Sequence, residues 1–292
     1  MTVSTAGDVD ITVQVSTGGS HSVRGRTVPN HVVSVLFGTD LEAWRRGWDG
    51  PGSAAPRREA VFLASDRSRS AVAEASTGVI PNQGVVYTVL GPNPEPDRVL
   101  GSVSEALSEA DNEAASVLID DIEPLATRSG AAVAGKTVVA IATAAVSAGG
   151  SITIGCTLTP ESAQALVPIA DIADRIVGVD PEAMAAIDTL QQTDPTTFGY
   201  TRRHWAEAQR GIESCTRNYP QSKQVHAAIS APKTTPRTLG AALSGLVSLD
   251  VLDVWGDTVG PTRYDLTAYD RSRMAAVGSA FVARESGNSN AD

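Results

Sequence analysis

The stretch SVLIDDIEPLATRSGAAVAGKT, Ser116 to Thr137, decides how the rest of the chain is read. It opens on a short apolar run without clean alternation, the pattern of a strand covered on both faces. That run ends on Asp120 and Asp121. Further on, GAAVAGKT (Gly130 to Thr137) matches the phosphate-loop pattern letter for letter. Two physical reasons argue against such a loop here. A strand must feed directly into it, so that backbone N–H groups at the next helix start face the phosphates. Here the nearest strand ends near Asp121, and IEPLATRS intervenes. The acidic strand also normally follows the loop, whereas Asp120-Asp121 precedes it. Ala131, Ala134, Val138, Ile141 and Ala145 repeat at helical spacing, so Gly130 to Gly149 is expected to be a helix with a loose beginning.

Outward from this point, short β-branched runs alternate with helix-like stretches. VVSVLFG (32–38), AVFLAS (60–65), VVYTVL (85–90), SVLID (116–120), SITIGCT (151–157) and RIVGVD (175–180) read as strands. LEAWRRGWDG, RSRSAVAEAST, DRVLGSVSEALSEADNEA, the Ala-rich 131–148 and PESAQALVPIADIA read as the helices between them. Val99, Val103, Ala106, Leu107 and Ala110 make one apolar stripe, and Thr159-Pro160 is a helix start. DVDITVQVS (8–16) is either an extra strand or a frayed arm. Right-handed crossovers give an α/β fold with a mostly parallel sheet and flanking helices. Such sheets bind ligands outside the carboxyl ends of their strands. Here those ends carry Gly38, Thr39 and Asp40, then Ser65 and Asp66, then Asp120 and Asp121, then Thr157. Gly38, Thr39, Asp40, Asp120 and Asp121 are therefore a candidate vestigial ligand site. Asp120-Asp121 either approaches magnesium through a water or supplies a turn cap and a solvated carboxylate.

VLIDDIEPLATRSG resembles the acidic strand, loop and helix of the RecA/KaiC-like ATPase core, in a reduced form found in halophilic archaea. SITIGCTLTPESAQALVPIADIADRIVGVD resembles that fold's next strand and the helix leading to an edge strand. The resemblance spans roughly residues 30–190. It implies a magnesium contact for Asp120. A phosphate loop would belong after VVSVLFG, but that site reads GTDLEAW and has no lysine. The core is therefore expected to be non-catalytic, without a cofactor; a nucleotide with magnesium is the alternative.

Residues 200–270 read differently. YTRRHWAEAQRGIESC (200–215) and SKQVHAAIS (222–230) are expected helices, the second capped by Ser222. After the turn APKT, TPRTLGAALSGLVSL (235–249) is a longer helix with Thr235 as cap and Pro236 in first position. VLDVWGD (251–257), TVGP and TRYDLTAY (262–269) form a hairpin. This order resembles the winged helix-turn-helix fold. The resemblance implies that the third helix enters the major groove through Thr234, Thr235, Arg237 and Thr238. It places Lys223 and Lys233 on phosphates and Arg263 beside the wing. An arginine such as Arg237 can pair with guanine O6 and N7. The alternative is a winged helix that binds protein and is kept soluble by these cations. Trp255 is either a hydrophobic anchor at the hairpin base or a contact surface.

Charge follows the same division. The 292 residues carry 33 acidic and 23 basic side chains, a net of -10. Residues 1–199 hold 24 acidic and 12 basic; residues 200–292 hold 9 and 11. Overall acidity excludes a chain that coats nucleic acid with its whole surface, but not a small basic module. The expected organisation is an arm or strand (1–29), a RecA/KaiC-like domain (30–195), a winged helix (200–280) and a flexible tail (281–292). The 42% apolar content is that of a globular chain. Two cysteines make no disulfide framework, and the four histidines show no ligand spacing. The start lacks a signal-peptide pattern, and Thr137 to Thr159 is interrupted by Gly149 and Gly150, so a cytoplasmic protein without a membrane span is expected. Three lysines against 20 arginines in an acidic chain resemble a salt-loving archaeal proteome. The expected function is a homodimeric regulator of transcription whose winged helix binds double-stranded DNA. Its α/β domain would sense a small-molecule or protein signal, or mediate assembly. A RecA/KaiC-like ATPase or nucleotide-binding signalling protein, and a protein-interaction adaptor, are the alternatives.

Overall fold

A computed structural model describes residues 10–16, 30–48, 56–64, 77–80, 84–92, 94–110, 115–256 and 260–289, apart from the side chains of residues 160 and 285–289. Residues 67–76 of the expected helix RSRSAVAEAST, the strand end at Ser65 and Asp66, and Thr258 and Val259 of the expected hairpin loop fall outside them. So do residues 1–9 and 17–29 of the expected arm and the last three residues of the tail.

Eight strands form one sheet: β1 (Ile11–Ser16), β2 (His31–Leu36), β3 (Arg58–Leu63), β4 (Thr77–Ile80), β5 (Val85–Val89), β6 (Ala115–Ile119), β7 (Ser151–Thr157) and β8 (Arg175–Val177). Their order is β4-β5-β3-β2-β6-β7-β1-β8. All neighbours run parallel except β4, which is antiparallel to β5. The fold is thus α/β with a mostly parallel sheet. Every residue of β2 is buried, as in a strand covered on both faces, and its interior polar side chain, Ser34, donates to Glu59 at 2.9 Å. Val33 and Val35 join the main core, while Val32 and Leu36 pack with Trp44 and Trp48 on the opposite face.

The segment left open between arm and strand is β1, an internal strand. It lies between β7 and β8, and Ile11, Val13 and Val15 are buried. Asp174 accepts a hydrogen bond from the Ile11 N–H at 2.8 Å, which fastens its first residue.

The helices of this part are α1 (Leu41–Arg46), α2 (Pro96–Ser108), α3 (Glu123–Ser129), α4 (Ala131–Ser147), α5 (Pro160–Ala170) and α6 (Pro181–Thr193). They are followed by α7 (Pro195–Ser214), α8 (Ser222–Ala228), α9 (Pro236–Ser248) and α10 (Arg271–Ser289). A Thr-Pro or Asp-Pro pair starts α5, α6, α7 and α9. In each, the Thr or Asp side chain accepts a backbone N–H of the first turn, and proline takes a position where no N–H is needed. The helix expected over 200–215 therefore begins earlier, at Pro195, and the polar stretch 191–200 holds a helix junction at Asp194. Gln221, not Ser222, precedes α8, and its N–H donates to Gln224 at 2.9 Å.

The hairpin is shorter than its sequence suggested. β9 (Asp253–Val254) pairs antiparallel with β10 (Tyr264–Asp265), and a 3-10 turn (Leu266–Ala268) replaces the rest of the return strand. The Thr267 N–H and hydroxyl both donate to Asp265, which ends the strand by a local turn. A bridge between Gln221 and Arg263 adds a third strand-like segment. α10 then returns against α5, α6 and α7, with Phe281 beside Phe198, so one continuous core includes both the sheet and the C-terminal helices.

Candidate functional site

Two places gather the residues singled out from the sequence. The first is the carboxyl edge of the sheet, where β2 and β6 end side by side. Asp120 is buried and accepts four backbone N–H groups. Oδ1 takes Phe37 at 2.7 Å and Asp121 at 2.7 Å; Oδ2 takes Gly38 at 3.0 Å and Thr39 at 2.8 Å. A carboxylate offers about four lone-pair positions, so this one is fully engaged in shaping the loop after β2. Burial raises the Asp120 carboxyl above its ordinary value, and the N–H groups act against that rise. Asp121 takes Thr157 N–H at 2.9 Å and Glu123 N–H at 3.0 Å, tying β7 to the start of α3. Asp40 caps α1 through the Ala43 N–H at 2.7 Å. Thus both members of the acidic pair hold backbone, where the sequence left open a magnesium contact through water or one cap and one solvated group. Arg128, not anticipated, adds Nε to Pro124 O at 2.8 Å and Nη2 to Phe37 O at 3.4 Å.

The GAAVAGKT stretch is helical from Ala131 onward, with Gly130 at φ 85° joining α3 to α4. A Cβ on Gly135 would lie 2.9 Å from the Ala165 carbonyl and from Pro168. The glycine therefore serves close α4–α5 packing. Lys136 points to solvent, and Thr137 Oγ1 donates to Val133 O within the helix.

The second place lies on α8, α9 and the hairpin. Lys223, Lys233, Thr235 and Arg237 are exposed, and Thr234, Thr238 and Arg263 are half-buried. Thr235 Oγ1 accepts the Thr238 N–H at 3.2 Å and lies 3.0 Å from Thr238 Oγ1, so this pair closes the first turn of α9. Arg263 Nη1 donates to Tyr219 O at 3.1 Å, which braces the hairpin against the segment before α8. Thr234 is drawn inward. Its N–H and hydroxyl each donate to Glu207 Oε1 at 3.1 Å, and its carbonyl lies 2.7 Å from His226 Nε2. The Lys233 N–H reaches the same Glu207 oxygen at 2.8 Å.

Between α8, α9 and the hairpin runs a groove of about 350 Å³. Ser222, Lys223, Ser244, Thr262 and Tyr264 line it, and Tyr264 donates to the Gly240 carbonyl at 3.1 Å. Trp255 is 43% exposed and stacks on Tyr219 at 4.8 Å, so it both anchors the hairpin base and presents a surface. Among the described residues, no group of three or more His, Cys, Asp or Glu is placed to hold a metal ion, and no helix is long and apolar enough to cross a membrane. Comparison of the chain with protein-family models, curated proteins and solved structures finds no match.

Proposed function

We propose that α7 to α10 with the hairpin act as a winged helix-turn-helix that binds double-stranded DNA. The mostly parallel sheet would be a reduced RecA/KaiC-like core that senses a signal or mediates assembly as a homodimer. One observation carries the reading. Residues 222–238, covering α8, the turn and the first residues of α9, hold Lys223, Lys233 and Arg237, all exposed, and no acidic residue. In a chain of net charge -10 this is a stretch of net positive charge whose turn is braced by Glu207 and His226. A surface built for a basic protein partner would instead be neutral or acidic there.

Arg237, in the first turn of α9, is the base-edge candidate, and the lysines would take phosphates. Thr235 and Thr238 hold the helix end, and Thr234 supports the turn from inside, so the burden of readout falls on Arg237. The exposed face of α9 carries small residues such as Ser244 and Ser248, so affinity rests on few contacts and on pairing of two copies. Fluorescence anisotropy on a mixed duplex pool at two salt concentrations tests the proposal. Binding that weakens with salt, and weakens further in Lys233→Ala/Arg237→Ala, supports it. No binding at low salt, or binding unaffected by the double substitution, overturns it.

A further inference from the structure

We infer that Glu207, in the middle of α7, is a positioning residue for DNA binding: its buried carboxylate sets the turn that presents Lys233 and Arg237. The inference rests on the DNA-binding reading above. Glu207 is 6% exposed, and one oxygen, Oε1, takes the N–H groups of Lys233 and Thr234 and the Thr234 hydroxyl. Two consecutive backbone amides aimed at one anion form a fixed, charge-assisted arrangement. Burying a carboxylate is unfavourable unless such donors satisfy it. α7 also buries Trp205, Ala208 and Ile212, and an apolar side chain at 207 would be buried without that penalty. What the carboxylate adds is the geometry of residues 233–234. With both amides turned inward, the exposed Lys233 side chain lies on the outer side of the turn, one residue before Thr234 leads into the α9 cap.

His226 completes the clasp from the other side. Its Nε2 lies 2.7 Å from the Thr234 carbonyl, so both peptide groups flanking Thr234 are held, one by α7 and one by α8. The recognition helix is thereby fastened at its entry and not only along its apolar face. Lys233 and Arg237 then meet the duplex as a preorganised pair.

The test compares the full chain with Glu207→Gln, Glu207→Asp and Arg237→Ala. Three readouts apply: thermal midpoint, amide hydrogen exchange at Lys233 and Thr234, and duplex affinity across a salt series. Glutamine keeps the shape but turns an NH2 group or a weaker acceptor toward the amides. The expected result for Glu207→Gln is a folded chain with faster exchange at both amides. Duplex binding falls about tenfold, and the slope of log affinity against log salt becomes shallower by roughly one phosphate contact. Arg237→Ala weakens binding without changing exchange at the turn. Glu207→Asp, one methylene shorter, restores the charge but not the reach, and is expected to lie between. Faster exchange with unchanged affinity and slope would overturn the inference and leave the DNA-binding reading intact. Failure of the unaltered chain to bind any duplex would overturn both.

Discussion

Gly245→Ala separates two opposed effects in the C-terminal helices. In an isolated helix interior the change is favourable by about 1 kcal/mol, because alanine restricts the unfolded backbone. Here α9 crosses α7 at this residue. An added Cβ would lie 1.8 Å from Thr201 Oγ1, 2.9 Å from Thr201 Cβ and 3.1 Å from Thr197 Cγ2. The first distance is roughly 1.5 Å or more inside van der Waals contact. Rotating Thr201 removes the clash with Oγ1 and gives up its bond to the Thr197 carbonyl at 2.8 Å, but leaves Cβ too close. The helices must therefore separate, which costs typically 1–3 kcal/mol. Packing outweighs propensity, and the net expectation is a loss of up to about 2 kcal/mol, or up to about 3 °C in the melting midpoint for a chain this long. Urea and thermal melts followed by far-UV circular dichroism measure it. Thr201→Gly in the same chain moves the gap to the other helix and should recover most of the loss. A midpoint raised by Gly245→Ala alone, as propensity predicts, would refute the close approach of α7 and α9.

The remaining expectations concern the sheet edge and the two thiols. Asp120→Asn leaves two of the four N–H donors, which are buried or partly buried, facing an NH2 group. At about 1–3 kcal/mol per unsatisfied donor, a loss of roughly 2–6 kcal/mol in urea denaturation is expected; a neutral result would mean the loop after β2 is held by other contacts. Cys156 is buried, and burial followed by the nearby Asp121 charge pushes its thiol well above the ordinary range, whereas Cys215 is half-buried. Native protein should therefore lose at most one thiol to a neutral alkylating reagent at pH 8, at Cys215, and unfolded protein two. Rapid native labelling of Cys156 would contradict the packing of β7.

Much of the sheet is legible in the sequence because its strands are written as short runs rich in β-branched and apolar residues. The run SITIGCT coincides with β7, and VVSVLFG covers all but the first residue of β2 and continues beyond its end. β1 is less legible: Thr12, Gln14 and Ser16 alternate with its buried valines, a pattern shared by half-covered edge segments. β4 has only four residues, one of them glycine, and its Val79 is exposed. The pairs Asp180-Pro181 and Asp194-Pro195 carry the same start signal as Thr159-Pro160, so α6 and the true start of α7 are readable once that signal is followed along the chain. The acidic pair is legible as a place but not as a function, because a carboxylate that binds an ion and one that accepts four amides have the same letter. Glu207 is beyond sequence reading for a related reason. On α7 it looks like any solvated helix glutamate, and only the packing of α7 beneath the turn shows that it is buried.

The DNA-binding account is tested most directly by mapping where a duplex protects the full chain from hydrogen exchange. The account predicts protection confined to residues 222–238 and the hairpin strand around Arg263, lost in Lys233→Ala/Arg237→Ala and diminished by added salt. Protection centred on the loop after β2 and Asp120, or none anywhere at low salt, would contradict it.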